Sequence, residues 1–311
     1  MMKILVYTDL NAAQQTQLQN EFAKDIEFIF RNSVKDDLQS AFQSASIILG
    51  NPPANWFTEV PENLSFWQLD SAGFDQYQNV KLKNIVVANM GDFFSIKCAE
   101  TIVAGILAFY RHIHELVRLQ TEKKWIGKPL RYKLDLLSEK NIIILGAGSI
   151  AQSIEKILSG FNCSIKITAR KNPRAQIHSY DNLLSELQKT DLVINTLPGK
   201  ANKYVSADFF NAMQKGSLYA SIGRGNTTDE EALLDALTTR KISGAVLDVT
   251  EQEPLPQQSK LWDMQNVILT QHTGGGYKEE DEGKVKFFIS NVKRFLNGEE
   301  VQHRVNLEQG Y

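Results

Sequence analysis

The stretch NIIILGAGSIA, residues 141–151, decides the fold of this chain. Four apolar residues, 142–145, predict a buried parallel strand, and the apolar-periodic segment after them predicts a helix. Between the two, Gly146, Gly148 and Ala151 follow the G-x-G-x-x-G/A spacing, which permits a tight turn and the close approach of a pyrophosphate. The strand–turn–helix context predicts a dinucleotide site. The spacing alone would also suit a flavin enzyme, a methyltransferase or a plain tight turn.

Strand and helix signals alternate along the rest of the chain in two series. Each is a β-α-β succession, which predicts a parallel sheet covered by helices. The first series predicts strands at 3–7, 26–30, 46–50, 65–69 and 84–88, and helices at about 12–24 and 35–44. The second predicts strands at 141–145, 164–168, 191–195, 217–222, 244–249 and 266–270, and helices at about 150–159, 181–188, 206–213 and 228–239. Two further helices are predicted at about 96–120 and 278–297.

The length of 311 residues predicts two domains, because it exceeds what one ordinary core accommodates. We expect an α/β protein with two Rossmann-like or flavodoxin-like parallel-sheet domains and a cleft between them. The dinucleotide-binding domain would span 99–283, and a discontinuous substrate domain would combine 1–98 with 284–311. Parallel sheets bind ligands at the carboxyl ends of their strands, so substrate and cofactor should meet in that cleft.

Composition argues against several classes of protein. Hydrophobic residues make up 42%, charged residues 23%, and the net charge is −2, so nothing favours nucleic acid or an anionic membrane as a partner. The longest apolar run, 102–110, is about half a membrane span. Asp9 interrupts the N-terminal sequence too early to leave room for the apolar region of a signal peptide. Cys98 and Cys163 form no C-x-x-C pair, which argues against a disulfide framework. We therefore expect a cytoplasmic protein.

The predicted helix 96–120 is apolar on almost all sides in its first half, so it should be buried in the nucleotide domain, where it could supply an oligomer contact. It carries His112 and His114 as an H-x-H pair. Side chains at i and i+2 of a helix point apart, so we expect no metal site there or elsewhere in the chain.

The exit of the second strand of the nucleotide unit bears on the choice of cofactor. An acidic residue usually ends this strand and accepts hydrogen bonds from the adenosine ribose. Here Ala169 stands at that position, and Arg170 and Lys171 follow. A guanidinium attracts a 2′-phosphate, which a carboxylate would repel. We interpret Arg170, helped by Lys171, as selecting NADP(H) over NAD(H). The alternative is that both are solvated loop cations.

Further motifs resemble the D-isomer-specific 2-hydroxyacid dehydrogenase family and occur in its order. SIGRGNTTDEEALLDAL (221–237) is similar to that family's strand, R-G turn and acidic helix start. GAVLDVTEQEPLP (244–256) is similar to its L-D-V-F-x-x-E-P-L-P, and LWDMQNVILTQHTGG (261–275) to its L-W-x-x-P-N-V-I-x-T-P-H. Three shorter segments also resemble the family: SAGFD (71–75), CAETIVAGILAF (98–109) and VNLEQGY (305–311). The resemblance covers nearly the whole chain.

Matching these motifs places the family's catalytic arginine on Arg224, its glutamate on Glu253 and its histidine on His272. Reduction of a 2-oxo acid needs a hydride on the carbonyl carbon and a proton on its oxygen. A histidine can give that proton near neutral pH, and a carboxylate beside it orients the ring. An arginine can bind the substrate carboxylate and polarise the carbonyl. Each residue alone could be a turn or loop residue, but together at successive strand ends they favour catalysis.

The same matching implies residues for binding substrate and cofactor. The N–H groups of Ser71, Ala72 and Gly73 would hold the substrate carboxylate, and Asp248 would lie near the nicotinamide amide. The alternatives are a tight turn at Gly73 and a helix or loop cap at Asp248. Together with the glycine turn and the two cations argued above, the predicted cofactor-binding residues are Gly146, Gly148, Ser149, Ile150, Arg170, Lys171, Leu197, Pro198, Ile222, Gly223, Asp248 and Gly274.

Two departures from the family pattern lie near the implied site. Gln271 stands where the family usually has proline, which predicts a less fixed backbone at His272. Lys200 replaces the threonine of the family's L-P-x-T turn and would add a cation on the phosphate side.

We therefore expect an oxidoreductase that uses NADP(H) to reduce a small 2-oxo acid, such as glyoxylate or hydroxypyruvate. The D stereochemistry and a homodimer are what the resemblance implies. The alternative is a non-enzymatic NAD(P)-sensing scaffold, as in the C-terminal-binding-protein corepressors that resemble this family.

Overall fold

Two parallel sheets organise the computed structural model, which describes residues 1–34 and 37–308. One unit comprises Met1–Phe94 and Tyr277–Tyr311, and the other comprises Ser95–Gly276. The chain changes unit after Phe94 and after Gly276, whereas the sequence predicts changes after residues 98 and 283. The first two residues of the predicted helix 35–44 and the last three of the motif 305–311 lie outside the described residues.

Strands and helices alternate, and every strand overlaps a predicted one. The strands are β1 (Met2–Val6), β2 (Ile26–Phe30), β3 (Ile47–Leu49), β4 (Phe66–Gln68), β5 (Val86–Ala88), β6 (Asn141–Leu145), β7 (Ser164–Thr168), β8 (Leu192–Asn195), β9 (Leu218–Ser221), β10 (Gly244–Leu247) and β11 (Val267–Leu269). The α-helices are α1 (Ala12–Asn20), α2 (Leu38–Gln43), α3 (Ser95–Tyr110), α4 (Ile113–Thr121), α5 (Lys128–Arg131), α6 (Ser149–Leu158), α7 (Tyr180–Leu187), α8 (Ala207–Ala212), α9 (Glu230–Thr238) and α10 (Glu280–Leu296).

Both sheets are wholly parallel and share one order of strands. The first sheet runs β2-β1-β3-β4-β5, and the second runs β7-β6-β8-β9-β10-β11. Beyond β7, Ile177 pairs with Thr168 in a single parallel bridge, so a third strand of the nucleotide unit is reduced to one residue there. The predicted class, two parallel-sheet α/β domains, is confirmed.

The order of the second sheet places its ligand-binding point at the end of β6. This strand pairs with β7 on one side and with β8 on the other, so the succession of strands reverses at β6. Residues 142–145 are buried, and the chain leaves the core at Gly146. Open parallel sheets bind ligands at such a reversal, outside the carboxyl ends of the strands. The glycine turn therefore lies where a dinucleotide is expected.

The prediction of a single helix over 96–120 is wrong, because the helix breaks before His112. Helix α3 ends at Tyr110 and α4 begins at Ile113, and His112 adopts the left-handed φ of 51°. The rings of His112 and His114 stack, with centroids 5.8 Å apart, so the expectation that they point apart is also wrong. No Gly or Pro marks this break in the sequence.

Helix α3 is buried because it packs directly on the second sheet. A Cβ added at Gly105 would lie 2.5 Å from the Val246 side chain of β10, so the helix backbone touches the strand. Its residues Ala99, Ile102 and Ile106 are almost fully buried. Among the described residues, no helix is long and apolar enough to cross a membrane.

Candidate active site

The turn after β6 has two glycines with different surroundings. Gly146 has a left-handed φ of 100°, and a Cβ there would lie 2.9 Å from Thr196 Oγ1, so the turn itself requires glycine. Gly148 has an ordinary φ of −75°, and a Cβ there would meet nothing within 4 Å. The chain's own packing therefore does not explain Gly148. The open space beside it fits the close approach of a pyrophosphate.

Helix α6 begins at Ser149 next to this open space. Gly148 occupies its N-cap position and provides no side-chain hydrogen bond, so the first N–H groups of the helix, including those of Ser149 and Ile150, have no intrahelical partner. Such a helix end binds phosphate through its N–H groups and its dipole. Ala151 is fully buried, as expected for the small residue of the fingerprint. These residues fit a dinucleotide cofactor.

The other implied cofactor residues lie on neighbouring strand ends and contact one another. A Cβ at Gly223 would lie 2.4 Å from the carbonyl oxygen of Leu197, so the turn after β9 packs directly against the turn that contains Leu197 and Pro198. A Cβ at Gly274 would lie 2.7 Å from both Ile222 Cδ1 and Asp248 Oδ2. These implied residues thus share one region of the sheet edge.

Asp248, at the end of β10, holds the turn that follows β11. Its Oδ1 accepts hydrogen bonds from Thr270 Oγ1 at 2.6 Å and from the Gly274 N–H at 3.0 Å. Burial raises the pKa of this carboxyl, and the hydrogen bond from Thr270 partly offsets the rise. Its backbone carbonyl accepts from the His272 N–H at 2.6 Å. One residue therefore anchors both ends of this short turn.

The anchoring corrects the expectation of a less fixed backbone at His272. Gln271 and His272 both have a left-handed φ of 53°, a value that proline cannot adopt because its ring holds φ near −65°. Here the bonds to Asp248 hold the turn instead of a proline.

Glu253 and His272 form the central contact of the site. Nδ1 of His272 lies 2.6 Å from Glu253 Oε2, while Oε1 of the same carboxylate accepts a hydrogen bond from the Thr250 N–H at 3.0 Å. Because a carboxylate only accepts, Nδ1 carries the proton, which leaves Nε2 as the nitrogen able to act on a ligand. About half of the His272 side chain is exposed, so a ligand can reach it.

The loop of Arg224 is held by two hydrogen bonds to backbone carbonyls. Its Nη1 donates to the Gly223 carbonyl at 2.9 Å, and its own carbonyl accepts from Thr227 Oγ1 at 2.6 Å. A Cβ at Gly225 would lie only 1.7 Å from the Thr250 carbonyl oxygen. The loop of Arg224 therefore touches the residue that binds Glu253.

A cavity of about 540 Å³ opens beside the Glu253–His272 pair. Its remaining lining is mostly apolar and includes Leu247, Leu255 and Trp262. An imidazole, a carboxylate and apolar walls share this space.

Arg170 and Lys171 lie at the exposed exit of β7, after Ala169. Within residues 1–34 and 37–308, neither side chain forms a hydrogen bond or an ion pair. The nearby Arg174 differs, since it pairs with Glu155 of α6 at 3.0 Å. The two cations that the sequence singles out are thus available to a ligand.

Ser71, Ala72 and Gly73 belong to the other unit and follow β4. They are half-buried. Their carbonyls are held by Met90, Asn89 and Ser71, respectively. The structure therefore shows an ordered loop at the carboxyl end of a strand.

The sequence profile of the D-isomer specific 2-hydroxyacid dehydrogenase, NAD binding domain, matches residues 103–274, more than half of the chain. The chain belongs to the D-isomer specific 2-hydroxyacid dehydrogenase family. It is therefore an NAD(P)-dependent enzyme, and the resemblance noted from its motifs is confirmed.

Relatives within this dehydrogenase family cover nearly all of the chain. A glyoxylate/hydroxypyruvate reductase A of Arabidopsis thaliana is 28% identical over 84% of this chain and 85% of its own. A family member from Aeromonas salmonicida has the same fold, with a TM-score of 0.84, 24% identity, and 98% and 99% of the two chains covered. An NADPH-dependent glyoxylate/hydroxypyruvate reductase from Sinorhizobium meliloti superposes with a TM-score of 0.80 at 22% identity, covering 99% of each chain.

Sequence reasoning missed the buried polar groups that support this dehydrogenase's arginine loop. Asn195 is fully buried and donates to Tyr219 Oη at 2.9 Å and to Thr227 Oγ1 at 2.8 Å. Thr227 in turn donates to the carbonyl of Arg224. The one signal in the sequence was a polar residue ending the apolar run 192–195. Its partners, 24 and 32 positions away, could not be read from it.

Proposed function

We propose that this dehydrogenase reduces a small 2-oxo acid, such as glyoxylate or hydroxypyruvate, to the D-hydroxy acid with NADPH. One observation carries the proposal. A histidine and a carboxylate are paired at 2.6 Å, next to an arginine loop, on strand ends of the unit that carries the dinucleotide turn. The Arabidopsis and Sinorhizobium relatives named above, both glyoxylate/hydroxypyruvate reductases, support the substrate class.

In this mechanism His272 donates the proton. Nε2 protonates the carbonyl oxygen of the substrate, while Glu253 holds Nδ1–H and stabilises the charged ring. Arg224 stabilises the negative charge that develops on the same oxygen. The nicotinamide, when bound, supplies the hydride to the carbonyl carbon. In the reverse direction, the neutral ring takes the hydroxyl proton back.

The fixed turn of His272 matters for this step. General acid catalysis of this kind contributes about 10² to 10⁴ in rate, and it requires the donor to be held within hydrogen-bond reach. The hydrogen bonds that Asp248 accepts from the turn, and the one that Glu253 accepts from the Thr250 N–H, supply that constraint.

The preference for NADPH rests on Arg170 and Lys171. Both are exposed without internal partners, and Ala169 replaces the expected acid. A charge-assisted hydrogen bond to the 2′-phosphate contributes roughly 1.5–3 kcal/mol. We therefore expect Ala169→Asp combined with Arg170→Ala to reverse the NADPH/NADH ratio of kcat/KM. Arg174→Ala, which removes a cation already paired with Glu155, is the matched control and should leave the ratio unchanged.

The loop of Ser71, Ala72 and Gly73 is proposed to bind the substrate carboxylate through its N–H groups. The conformation of this loop, with every carbonyl occupied, supports that role.

We further propose a homodimer of a cytoplasmic enzyme. The segment from α4 to residue 136 exposes large apolar side chains that a monomer would leave in water. They include Val117, Trp125, Tyr132 and Leu136, which are 57%, 96%, 79% and 60% exposed. Light scattering after gel filtration should give twice the chain mass, and Trp125→Glu with Leu136→Glu should return it to that of a monomer.

The direct test is the absorbance of NADPH at 340 nm with the wild-type protein over glyoxylate, hydroxypyruvate, pyruvate and phenylpyruvate. Substrate-dependent oxidation is expected with at least one small 2-oxo acid. Cofactor binding without turnover of any 2-oxo acid, with either cofactor, would instead support the scaffold alternative.

A further inference from the structure

The loop of residues 71–73 has all of its carbonyls occupied. The Ser71 carbonyl accepts from the Met90 N–H at 3.1 Å, the Ala72 carbonyl from Asn89 Nδ2 at 2.6 Å, and the Gly73 carbonyl from the Ser71 hydroxyl at 2.6 Å. Three consecutive acceptors are therefore turned into the protein.

The N–H groups of the same three residues differ from the carbonyls in their hydrogen bonding. Within residues 1–34 and 37–308, none of them donates a hydrogen bond, although the residues are half-buried. Backbone N–H groups without an acceptor in the protein need water or a ligand to accept from them. A row of such donors attracts an anion.

Two asparagines, one after each of the strands that flank β4, hold the loop in this state. Asn51 follows β3, and its amide donates to Ser71 Oγ at 2.9 Å while its carbonyl oxygen accepts from the Asp70 N–H at 3.2 Å. Asn89 follows β5, and its amide donates to the Ala72 carbonyl while its oxygen accepts from the Gly91 N–H at 2.9 Å. Each amide both donates and accepts, which neither a carboxylate nor an alkyl side chain can do.

The Ser71 hydroxyl accepts one hydrogen bond and donates another within the protein. Because it accepts from Asn51, its own proton is directed to the Gly73 carbonyl. It is therefore not available as a donor to substrate, and only backbone N–H groups remain to bind one.

We propose that Asn51 and Asn89 are positioning residues that preorganise the Ser71–Gly73 loop as a receptor for the carboxylate of the substrate. The inference rests on the proposed function, because the carboxylate is that of the 2-oxo acid. Preorganisation lowers the cost of ordering a site upon binding, so loss of either amide should appear in substrate affinity. The cofactor residues lie in the other unit, so NADPH binding should be independent of both amides.

The test compares Asn51→Ala, Asn89→Ala and Asn89→Asp with the wild-type protein. We expect the KM for the 2-oxo acid and the inhibition constant of oxamate, a carboxylate probe, to rise together by about tenfold in each variant. The Kd for NADPH should stay unchanged, and kcat should change much less than KM. Asn55→Ala is the matched control, since Asn55 is exposed and its side chain forms no hydrogen bond within the described residues.

The outcomes distinguish a failure of the positioning role from a failure of the proposed function. If the wild-type protein reduces 2-oxo acids but the KM and the oxamate constant of the asparagine variants stay within twofold of wild type, the positioning role is wrong. If weaker substrate binding is accompanied by an equally weakened NADPH binding and by a lower free energy of unfolding, the amides are merely structural and the positioning role is wrong. Asn89→Asp, which keeps the bond to Gly91, guards against misfolding of the alanine variant. A wild-type protein that neither turns over 2-oxo acids nor binds oxamate contradicts the proposed function itself, and this inference with it.

Discussion

The carboxyl edges of the two sheets follow the same strand order and differ in the contacts that hold the loops of the site. In the Ser95–Gly276 unit, whose edge we call the glycine-built edge, Gly146, Gly223 and Gly225 let neighbouring turns approach to contact distance, and the Asp248 side chain holds the turn after β11. In the other unit, two amide side chains, Asn51 and Asn89, hold the loop after β4 from both sides.

The comparison shows that the topology determines where the loops lie, whereas the individual residues determine which ligand they bind. A parallel order with a reversal brings loops to one edge in both units. Whether that edge accepts a pyrophosphate or a carboxylate depends on the groups that line it. A phosphate needs space beside a helix end, whereas a small carboxylate needs a few aligned N–H groups.

The largest effect on the glycine-built edge is expected from Gly225→Ala. Its Cβ would lie 1.7 Å from the Thr250 carbonyl oxygen and 2.3 Å from its carbon, so a backbone must move. We expect the free energy of unfolding to fall by about 3 kcal/mol or more. Urea denaturation measures this. Gly160→Ala, where a Cβ meets nothing within 4 Å, should cost little, and equal losses in both variants would contradict the account.

Gly148→Val tests whether Gly148 is needed for cofactor binding rather than for packing of the protein. Because a Cβ at Gly148 meets no protein atom, the thermal midpoint should fall only by the modest cost of placing valine at the N-cap of α6. The new side chain would instead fill the space proposed for the pyrophosphate, and the Kd for NADPH should rise at least about tenfold, or about 1.4 kcal/mol. Calorimetric titration gives the Kd. An unchanged Kd would mean that the cofactor does not approach this turn.

The smallest effect concerns the carboxyl that anchors the histidine turn. Burial raises the pKa of Asp248 in the folded protein, so the folded state retains its proton to higher pH than the unfolded state does. The contribution of Asp248 to wild-type stability should therefore decrease as the pH rises from about 3.9, the ordinary value for aspartate, through the raised value. Asp248→Asn keeps an oxygen for Thr270 and Gly274 but lacks this contribution, so the stability of the wild type relative to the variant should fall over that pH range. Unfolding free energies of both proteins between pH 3 and 8 check the sign; parallel curves would disprove it.

The sequence was most informative where the pattern is local. Residues 142–145 and the glycine spacing after them predict β6, its turn and α6, because strand, turn and helix signals are adjacent in the chain. The helix break at His112 was not predictable, since neither Gly nor Pro marks it in the sequence. The pairing of Glu253 with His272 was predictable only through the family's motifs, since no local pattern joins them.

The supporting groups were the least predictable part of the site. Asn195, Thr227 and Thr250 reveal their roles only once distant strand ends lie side by side. The histidine turn is a further example, because replacement of proline by Gln271 suggested looseness while Asp248, on another strand, supplies the constraint.

The central claim is that His272, oriented by Glu253, is the proton donor of a reduction at the glycine-built edge. Its most direct test is the parallel measurement of kcat and of the Kd for NADPH in His272→Asn. The account predicts that kcat falls by about 10² to 10⁴ while the Kd stays within twofold of wild type. A variant that retains wild-type kcat, or one that loses cofactor binding as severely as turnover, would contradict it.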